Sequence, residues 1–181
     1  MKLSVITVVK NDKLNLIISI KSVLSQSFKN YEYIIFDGMS KDGTRSAVKK
    51  YLNKDITYIN KKDKNYYDGL NQAINKAKGD YICILNAGDK FYNFRTLQKV
   101  SQLISSRKID CLFGNLIFFN DKSRSKRIWK FKIKRLTMIN SLKIASPTLF
   151  IKKKKILFFL YYKSLFILVN NDFNILLLKI F

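Results

Sequence analysis

The sequence predicts an α/β fold, in which a mostly parallel sheet is flanked by helices on both faces. Short apolar runs without a helical period alternate with segments whose apolar residues fall three or four apart, in the order β-α-β-α-β-α-β over the first 90 residues. The 181 residues are 48% hydrophobic, with one proline and six glycines, which is typical of a globular chain. A chain of this length forms one domain with a substantial core.

The first strand and helix are expected within residues 3–24. Leu3–Val9 is a β-branched run and is predicted to be a buried parallel strand. Asn11 or Asp12 is expected to cap the following helix, which would bury an apolar stripe made of Leu14, Ile17, Ile18 and Leu24.

The second strand, 31–36, is predicted to end in a turn that carries two carboxylates and two glycines, 37–43. Glycines in such a turn let the backbone approach a ligand closely. A helix is expected from Thr44, and residues 56–59 are predicted to form a third, short strand.

The next segment, 66–89, is predicted to be a helix, a glycine stop and a buried strand. Gly79 follows the helical stripe and is expected to adopt the left-handed conformation common at helix ends. The strand 81–85 delivers Asn86 and Asp89 to the edge where open α/β sheets bind ligands. Asp89 is therefore the leading candidate for a metal or diphosphate contact.

The remaining chain gives mixed signals. A helix is predicted at 94–106 on Leu97, Val100 and Ile104, and a strand interrupted at Gly114-Asn115 is predicted at 111–119. Residues 126–133 alternate basic with apolar side chains. This pattern suits either an edge strand kept soluble by lysines or a surface for single-stranded nucleic acid.

The last 30 residues combine lysines with long apolar runs. The lysine cluster 152–155 precedes the apolar run 156–169, which is too short for a transmembrane span. Shallow membrane association and burial against the sheet explain this segment equally well. A final helix is predicted at 175–181.

Charge and composition favour anionic partners and exclude several kinds of catalytic site. The net charge is +23, which favours anionic partners: nucleic acid, an anionic membrane or a diphosphate. The chain has no histidine and two distant cysteines, so a zinc site and a Cys/His nucleophile are excluded. It also lacks the phosphate-loop and GxGxxG motifs of ATPases and nicotinamide enzymes.

Acids are expected to gather at the ligand edge of the sheet, namely Asp37, Asp42, Asp68 and Asp89. Carboxylates without histidine or cysteine suit Mg²⁺ or Mn²⁺, which bridge to substrate phosphates. Such a cation stabilises a nucleoside diphosphate as a leaving group. This chemistry indicates sugar transfer from a nucleotide donor rather than hydrolysis.

An ordered set of motifs resembles those of family 2 glycosyltransferases, which have the GT-A fold, a Rossmann-related α/β fold. The motifs are SVITVVKN at 4–11, SVLSQSF at 22–28, FDGMSKDGT at 36–44, YDGLN at 67–71, AKGD at 77–80 and LNAGD at 85–89. The resemblance covers about residues 1–120 and is strongest to the bacterial surface-polysaccharide branch.

The resemblance implies roles for individual residues. Thr7, Val9 and Asn11 would line the nucleotide pocket. Asp37 would hydrogen-bond the base, and Asp68 would lie beside the nucleotide or the donor sugar. The segment 86–89 stands at the family's Asp-x-Asp motif, where Asp89 is the metal contact. Asn86 replaces the first carboxylate and offers a carbonyl oxygen without charge.

Two later segments resemble the acceptor side of the family. Residues 146–153 resemble the stretch before the catalytic base, and 171–177 resembles the block that contains it. Asp172 inherits the role of base for an inverting attack, whereas Asn174 departs from the family pattern. The simpler interpretation of Asp172 is a helix cap. We expect 1–120 to form the nucleotide-sugar-binding half, and 121–181 to form a basic acceptor-side segment of the same domain that is incomplete.

The predicted function is transfer of a sugar from a nucleoside-diphosphate donor to a glycan or lipid-linked acceptor in surface-polysaccharide synthesis. We expect the donor sugar to be linked to UDP. The predicted location is cytoplasmic, with peripheral contact to the anionic inner face of the membrane. Two alternatives remain open at this point. One is a truncated, catalytically weak remnant that binds nucleotide or membrane, and the other is a nucleic-acid binder.

Overall fold

A seven-stranded sheet forms the centre of the molecule. The structure is a computed structural model, and it describes residues 1–120, 125–130, 148–158, 167–168 and 175–177. The helices are α1 Lys13–Leu24, α2 Thr44–Lys49, α3 Tyr66–Lys76 and α4 Thr96–Arg107. The strands are β1 Leu3–Val9, β2 Tyr31–Asp37, β3 Ile56–Asn60, β4 Tyr81–Ile84, β5 Cys111–Phe113, β6 Leu116–Asn120, β7 Ser125–Trp129, β8 Leu149–Lys152, β9 Leu157–Phe158, β10 Ile167–Leu168 and β11 Ile175–Leu177.

The strand order of the main sheet is β11-β5-β8-β4-β1-β2-β3. β1 lies between β2 and β4 and pairs with both in parallel, and β2 pairs in parallel with β3. β8 alone among these strands runs antiparallel, between β4 and β5. The predicted α/β fold with a mostly parallel sheet is therefore confirmed.

Two apolar clusters lie on opposite faces of this sheet. Along β1, Leu3 and Val5 belong to the cluster that includes α1 and α4, whereas Ile6 and Val8 belong to the cluster that includes α3. Successive side chains of a strand point to opposite faces, so helices cover both. This arrangement confirms the prediction of helices on both sides.

The buried stripe of α1 differs from the predicted one. Leu14 is 73% exposed and Ile18 is 40% exposed, and the residues that face the core are Leu16, Ser19, Ile20 and Val23. The helix has apolar residues on more than one side, so its period does not select a face. The buried stripe includes Ser19, whose hydroxyl donates to the Asn86 carbonyl in the turn after β4.

Gly79 is not left-handed, contrary to the prediction. Positive φ among the described glycines occurs at Gly43 and Gly88, and α3 ends at Lys76 and is followed by Ala77 in an extended conformation. The requirement at Gly79 is space. A Cβ there would lie 2.7 Å from the backbone nitrogen of Ser4 and 2.9 Å from the carbonyl carbon of Leu3.

Replacing Gly79 by alanine is expected to lower the free energy of unfolding by about 2 kcal/mol, because the new methyl group meets the backbone of β1. Urea denaturation measures the loss. Lys78→Ala is the matched control, because that side chain is exposed and its backbone N–H still donates to Glu32. An unchanged midpoint for Gly79→Ala would contradict the close approach.

The last part of the chain corrects one further expectation. Residues 175–177 form β11, which pairs in parallel with β5, instead of a helix. A short apolar run cannot be assigned to helix or strand by periodicity. Here the run pairs with the outer edge of β5 and is therefore a strand. Lys152 and Lys153 in the lysine cluster have partners: Lys152 Nζ lies 3.0 Å from Asp110 Oδ1, and the Lys153 N–H donates to the Asp80 carbonyl.

The hairpin of β6 and β7 forms a sheet of its own, and so does the pair of β9 and β10. The strand predicted at 126–133 is present as far as Trp129, and residues 131–133 lie outside the described part. Ser146, Pro147, Asp172 and most of 156–169 also lie outside it. No helix within the described ranges is long and apolar enough to cross a membrane.

Candidate functional site

The carboxyl ends of β1, β2 and β4 lie at one edge of the sheet. Val9 pairs with Asp37, and Ile6 pairs with Ile84, so the chain leaves all three strands on the same side. β2 and β4 flank β1 and are separated by two strand spacings, roughly 10 Å. Asp37 and the 86–89 turn therefore border a common edge, which is where open α/β sheets bind nucleotides.

Hydrogen bonds join three polar side chains at the 86–89 turn, and the first of them, Tyr66, comes from α3. The Tyr66 hydroxyl donates to Asn86 Oδ1 at 3.0 Å, and Asn86 Nδ2 donates to Asp89 Oδ2 at 3.1 Å. The Asn86 oxygen that was predicted to face a ligand thus already accepts one hydrogen bond. Tyr66 was not predicted as a site residue, because its partner lies 20 positions further along the chain.

The environment of these side chains raises two pKa values. Burial raises the pKa of the Asp89 carboxyl, and the hydrogen bonds from Asn86 oppose that shift in part. Burial, with smaller contributions from Tyr67 and Asp89, raises the pKa of Tyr66 to about 12. Tyr66 is therefore a neutral donor at physiological pH.

Ser19 holds the backbone of the same turn. Its hydroxyl lies 3.0 Å from the carbonyl oxygens of Asn86 and Asp89, and it accepts from the Gly88 N–H at 3.0 Å. Gly88 has φ +89°, a left-handed conformation that suits glycine. No local pattern marks Ser19 in the sequence, because α1 has apolar residues on more than one side.

Asp37 is fully buried, and both of its carboxylate oxygens have partners. Oδ1 accepts from the Ser40 N–H at 2.8 Å, and Oδ2 accepts from the Tyr58 hydroxyl. Burial and the adjacent carboxylate raise the pKa of Tyr58, so this hydroxyl keeps its proton. A carboxylate oxygen accepts two hydrogen bonds, but Asp37 is fully buried, so a nucleobase has no open approach to it in this structure.

The three predicted pocket residues of β1 and its loop have different surroundings. Thr7 is buried, and its hydroxyl donates to the Leu85 carbonyl at 2.6 Å, which fixes the end of β4. Val9 is 3% exposed. Asn11 is exposed with φ +53°, and its Oδ1 accepts from the Lys41 N–H at 2.8 Å. Asn11 thus joins the loop after β1 to the turn after β2.

Asp68 and Asp42 both support helix starts. Asn65 is the N-cap of α3 and accepts from two backbone N–H groups, while Asp68 Oδ2 accepts from the Lys64 N–H at 2.9 Å. Asp42 Oδ2 accepts from the Lys13 N–H at 2.9 Å and thereby caps α1 from outside that helix. Carboxylates at helix N-termini are stabilising, so both have a structural duty.

Asp63 was missed by the sequence analysis. Its side chain is 5% exposed, and Lys10 Nζ lies 3.6 Å from its Oδ1. A Cβ on Gly38 would lie 2.7 Å from Asp63 Oδ2, and one on Gly69 would lie 3.1 Å from it. The two glycines make room for this carboxylate between the turn after β2 and α3.

The donor set at the 86–89 turn fits a divalent cation only together with a substrate. Asp89 supplies one carboxylate, and Asn86 supplies an amide oxygen. No group of three potential metal ligands occurs within the ranges that the structure describes. Mg²⁺ and Mn²⁺ commonly bind through one or two carboxylates while waters and substrate phosphates complete the shell. The turn therefore suits a cation that arrives with a diphosphate.

A shallow depression of about 390 Å³ lies elsewhere, beside α1, and is lined by Ile18, Ser22, Gln26, Phe91 and Phe94 among others. None of the predicted site residues lines it. The chemistry at the strand ends, rather than this depression, defines the candidate site.

Comparison with known sequences identifies the same family that the sequence motifs resemble. The model of the family described as Glycosyl transferase family 2 matches residues 4–166. EpsE of Bacillus subtilis, which bears a glycosyltransferase name, is 34% identical over 124 residues, covering 66% of this chain and 45% of EpsE. WfgD of Escherichia coli is named as a UDP-Glc:alpha-D-GlcNAc-diphosphoundecaprenol beta-1,3-glucosyltransferase, and it is 28% identical over 106 residues, covering 58% of this chain and 42% of WfgD. The chain spans less than half the length of EpsE and of WfgD.

Among solved structures, the chain is similar to residues 1–349 of S. aureus TarS in complex with UDP-GlcNAc. The TM-score is 0.71 at 23% identity, over 86% of this chain and 46% of that one. This likeness confirms the predicted GT-A fold.

Proposed function

Because the chain belongs to glycosyl transferase family 2, we propose that it transfers a sugar from a nucleoside-diphosphate donor to a glycan or lipid-linked acceptor in cell-surface polysaccharide synthesis. The observation that carries the proposal is the edge where Asp37 and the 86–89 turn flank the end of β1. The complex of TarS with UDP-GlcNAc supports UDP as the nucleotide, and the name of WfgD supports a lipid diphosphate acceptor.

The proposed reaction is an in-line displacement with inversion. Asp172 takes the proton of an acceptor hydroxyl, whose oxygen forms a bond to the anomeric carbon while the bond from that carbon to the diphosphate oxygen breaks. The nucleoside diphosphate leaves. Mg²⁺ or Mn²⁺ at Asp89 would offset the negative charge of this leaving group.

The two parts of the chain would divide this work. Residues 1–120 carry the candidate donor site, and 121–181 carry the proposed base. β8 and β11 belong to the second part yet pair with β4 and β5, which supports one domain with two functional halves. The proposed location is the cytoplasm, with peripheral contact to the anionic membrane that presents the acceptor.

Isothermal titration with UDP tests the donor site. We expect UDP to bind with measurable heat, and to bind more tightly when Mn²⁺ is present, because the cation joins Asp89 to the diphosphate. ADP and GDP are the matched comparison ligands. Absence of UDP binding with and without Mn²⁺ would contradict the proposed function.

A further inference from the structure

The β6–β7 hairpin exposes apolar side chains on both of its faces. The rings of Phe118 and Trp129 stack with centroids 6.4 Å apart and are 49% and 46% exposed. Ile128, which pairs with Ile117 on the other face, is 41% exposed. Exposed apolar patches that are rimmed by polar residues mark sites of protein or membrane interaction.

Basic residues accompany these apolar groups. The described residues of the hairpin and its exit, 116–120 and 125–130, include Lys126, Arg127 and Lys130 and no acid. Arg127 pairs with Phe118 across the two strands and is exposed. Aromatic rings beside cations are the combination found where proteins contact anionic lipid headgroups.

The hairpin begins at the ligand edge of the main sheet. β4 and β5 are both antiparallel to β8, so they run in the same direction and end on the same side. β6 follows β5 after two residues, and its first residue, Leu116, pairs with Trp129. Trp129 therefore lies at the base of the hairpin, near the edge that carries the 86–89 turn.

Single-stranded nucleic acid explains this surface less completely. Bases stack on aromatic rings and their phosphates pair with cations, which accounts for Trp129 and Arg127. It does not account for Ile128 on the opposite face, because an aliphatic side chain offers no stacking platform. A lipid interface accommodates aromatic, aliphatic and basic side chains together.

We propose that the β6–β7 hairpin is a docking surface for an anionic lipid bilayer. Docking there would hold the ligand edge of the sheet close to the plane in which a lipid-linked acceptor lies. This consequence rests on the proposed function, whereas the docking itself does not depend on it.

The chain contains one tryptophan, so its fluorescence reports directly on this surface. With vesicles that contain phosphatidylglycerol, Trp129 emission is expected to shift to shorter wavelength and to be quenched by brominated lipids, and the chain is expected to sediment with the vesicles. Vesicles of phosphatidylcholine alone are expected to give little effect. A double variant, Phe118→Ser with Arg127→Glu, should weaken partitioning at least about tenfold. Leu52→Ser, at a residue 46% exposed outside the hairpin, is the matched control and should not change it.

Three results would overturn the proposal. The first is sedimentation with anionic vesicles while Trp129 emission stays unchanged, which would assign binding to another part of the chain. The second is equal partitioning of the double variant and the wild type. The third is a spectral shift with a single-stranded oligonucleotide and none with vesicles. UDP titration of the same samples separates the two proposals: retained UDP binding without docking rejects only the docking, and docking without UDP binding rejects only the proposed function.

Discussion

Replacing Asp89 by alanine is expected to weaken Mn²⁺-dependent UDP binding by at least about 100-fold, because the variant lacks the single carboxylate of the 86–89 turn. The turn itself should persist. The hydrogen bonds that hold its backbone do not use the carboxylate. They run from the Asp89 N–H to the Asn86 carbonyl, and from the Ser19 hydroxyl to the carbonyls of Asn86 and Asp89. Titration of UDP at fixed Mn²⁺ measures the loss, and the variant should bind UDP as the wild type does without metal.

The matched control for this experiment is Asp80→Ala. Asp80 carries an exposed carboxylate, but it precedes β4 and accepts from the Lys2 N–H at the opposite edge of the sheet. Equal UDP affinity of Asp89→Ala and the wild type in Mn²⁺ would reject the metal role. The pH dependence gives a second check. Because burial raises the pKa of Asp89, acidification should remove the Mn²⁺-dependent part of the affinity at a higher pH than for an ordinary aspartate.

The first 110 residues were predictable because each element has a local signal. Leu3–Val9 shows a β-branched run, and α4 shows apolar residues at helical spacing, and both occur as predicted. β8 has no such signal. It is four residues long, ends in a lysine, and is specified by the two strands that it joins. β11 likewise forms by pairing with the outer edge of β5, and no local pattern in the sequence reveals this pairing.

In the candidate site, too, the sequence predicts the positions of residues but not their contacts. The positions of Asp37 and Asp89 follow from their place after apolar strands. The contacts of these residues do not follow, because Tyr58 lies 21 positions from Asp37 and Ser19 lies 70 positions from Asp89. The sequence therefore predicts that Asp37 and Asp89 lie at the ligand edge, but it has no signal for Asp63. The fold determines that Asp37 is covered by Tyr58 and that Asn86 already has a donor in Tyr66.

Replacing Asp172 by asparagine is expected to lower sugar turnover by roughly 10²- to 10⁴-fold, because the amide cannot accept the proton of the acceptor hydroxyl. UDP affinity should stay within about twofold of the wild type, since the candidate donor site lies in residues 1–120. Release of UDP in the presence of a lipid-diphosphate-linked sugar acceptor measures turnover, and titration measures affinity.

The comparison of turnover with affinity decides between a catalytic base at Asp172 and a residue that takes no part in the reaction, because residues 175–177 form β11 and not the helix that Asp172 was expected to cap. A residue that takes no proton from the acceptor leaves turnover unchanged when it is replaced by asparagine. Asp172→Ala completes the set: a base loses turnover in both variants, whereas a residue outside the reaction keeps turnover in both. Full turnover by Asp172→Asn would reject the proposed base. UDP binding without any turnover by the wild-type chain would instead favour a nucleotide-binding protein that has lost transferase activity, because the donor site functions there without the acceptor chemistry.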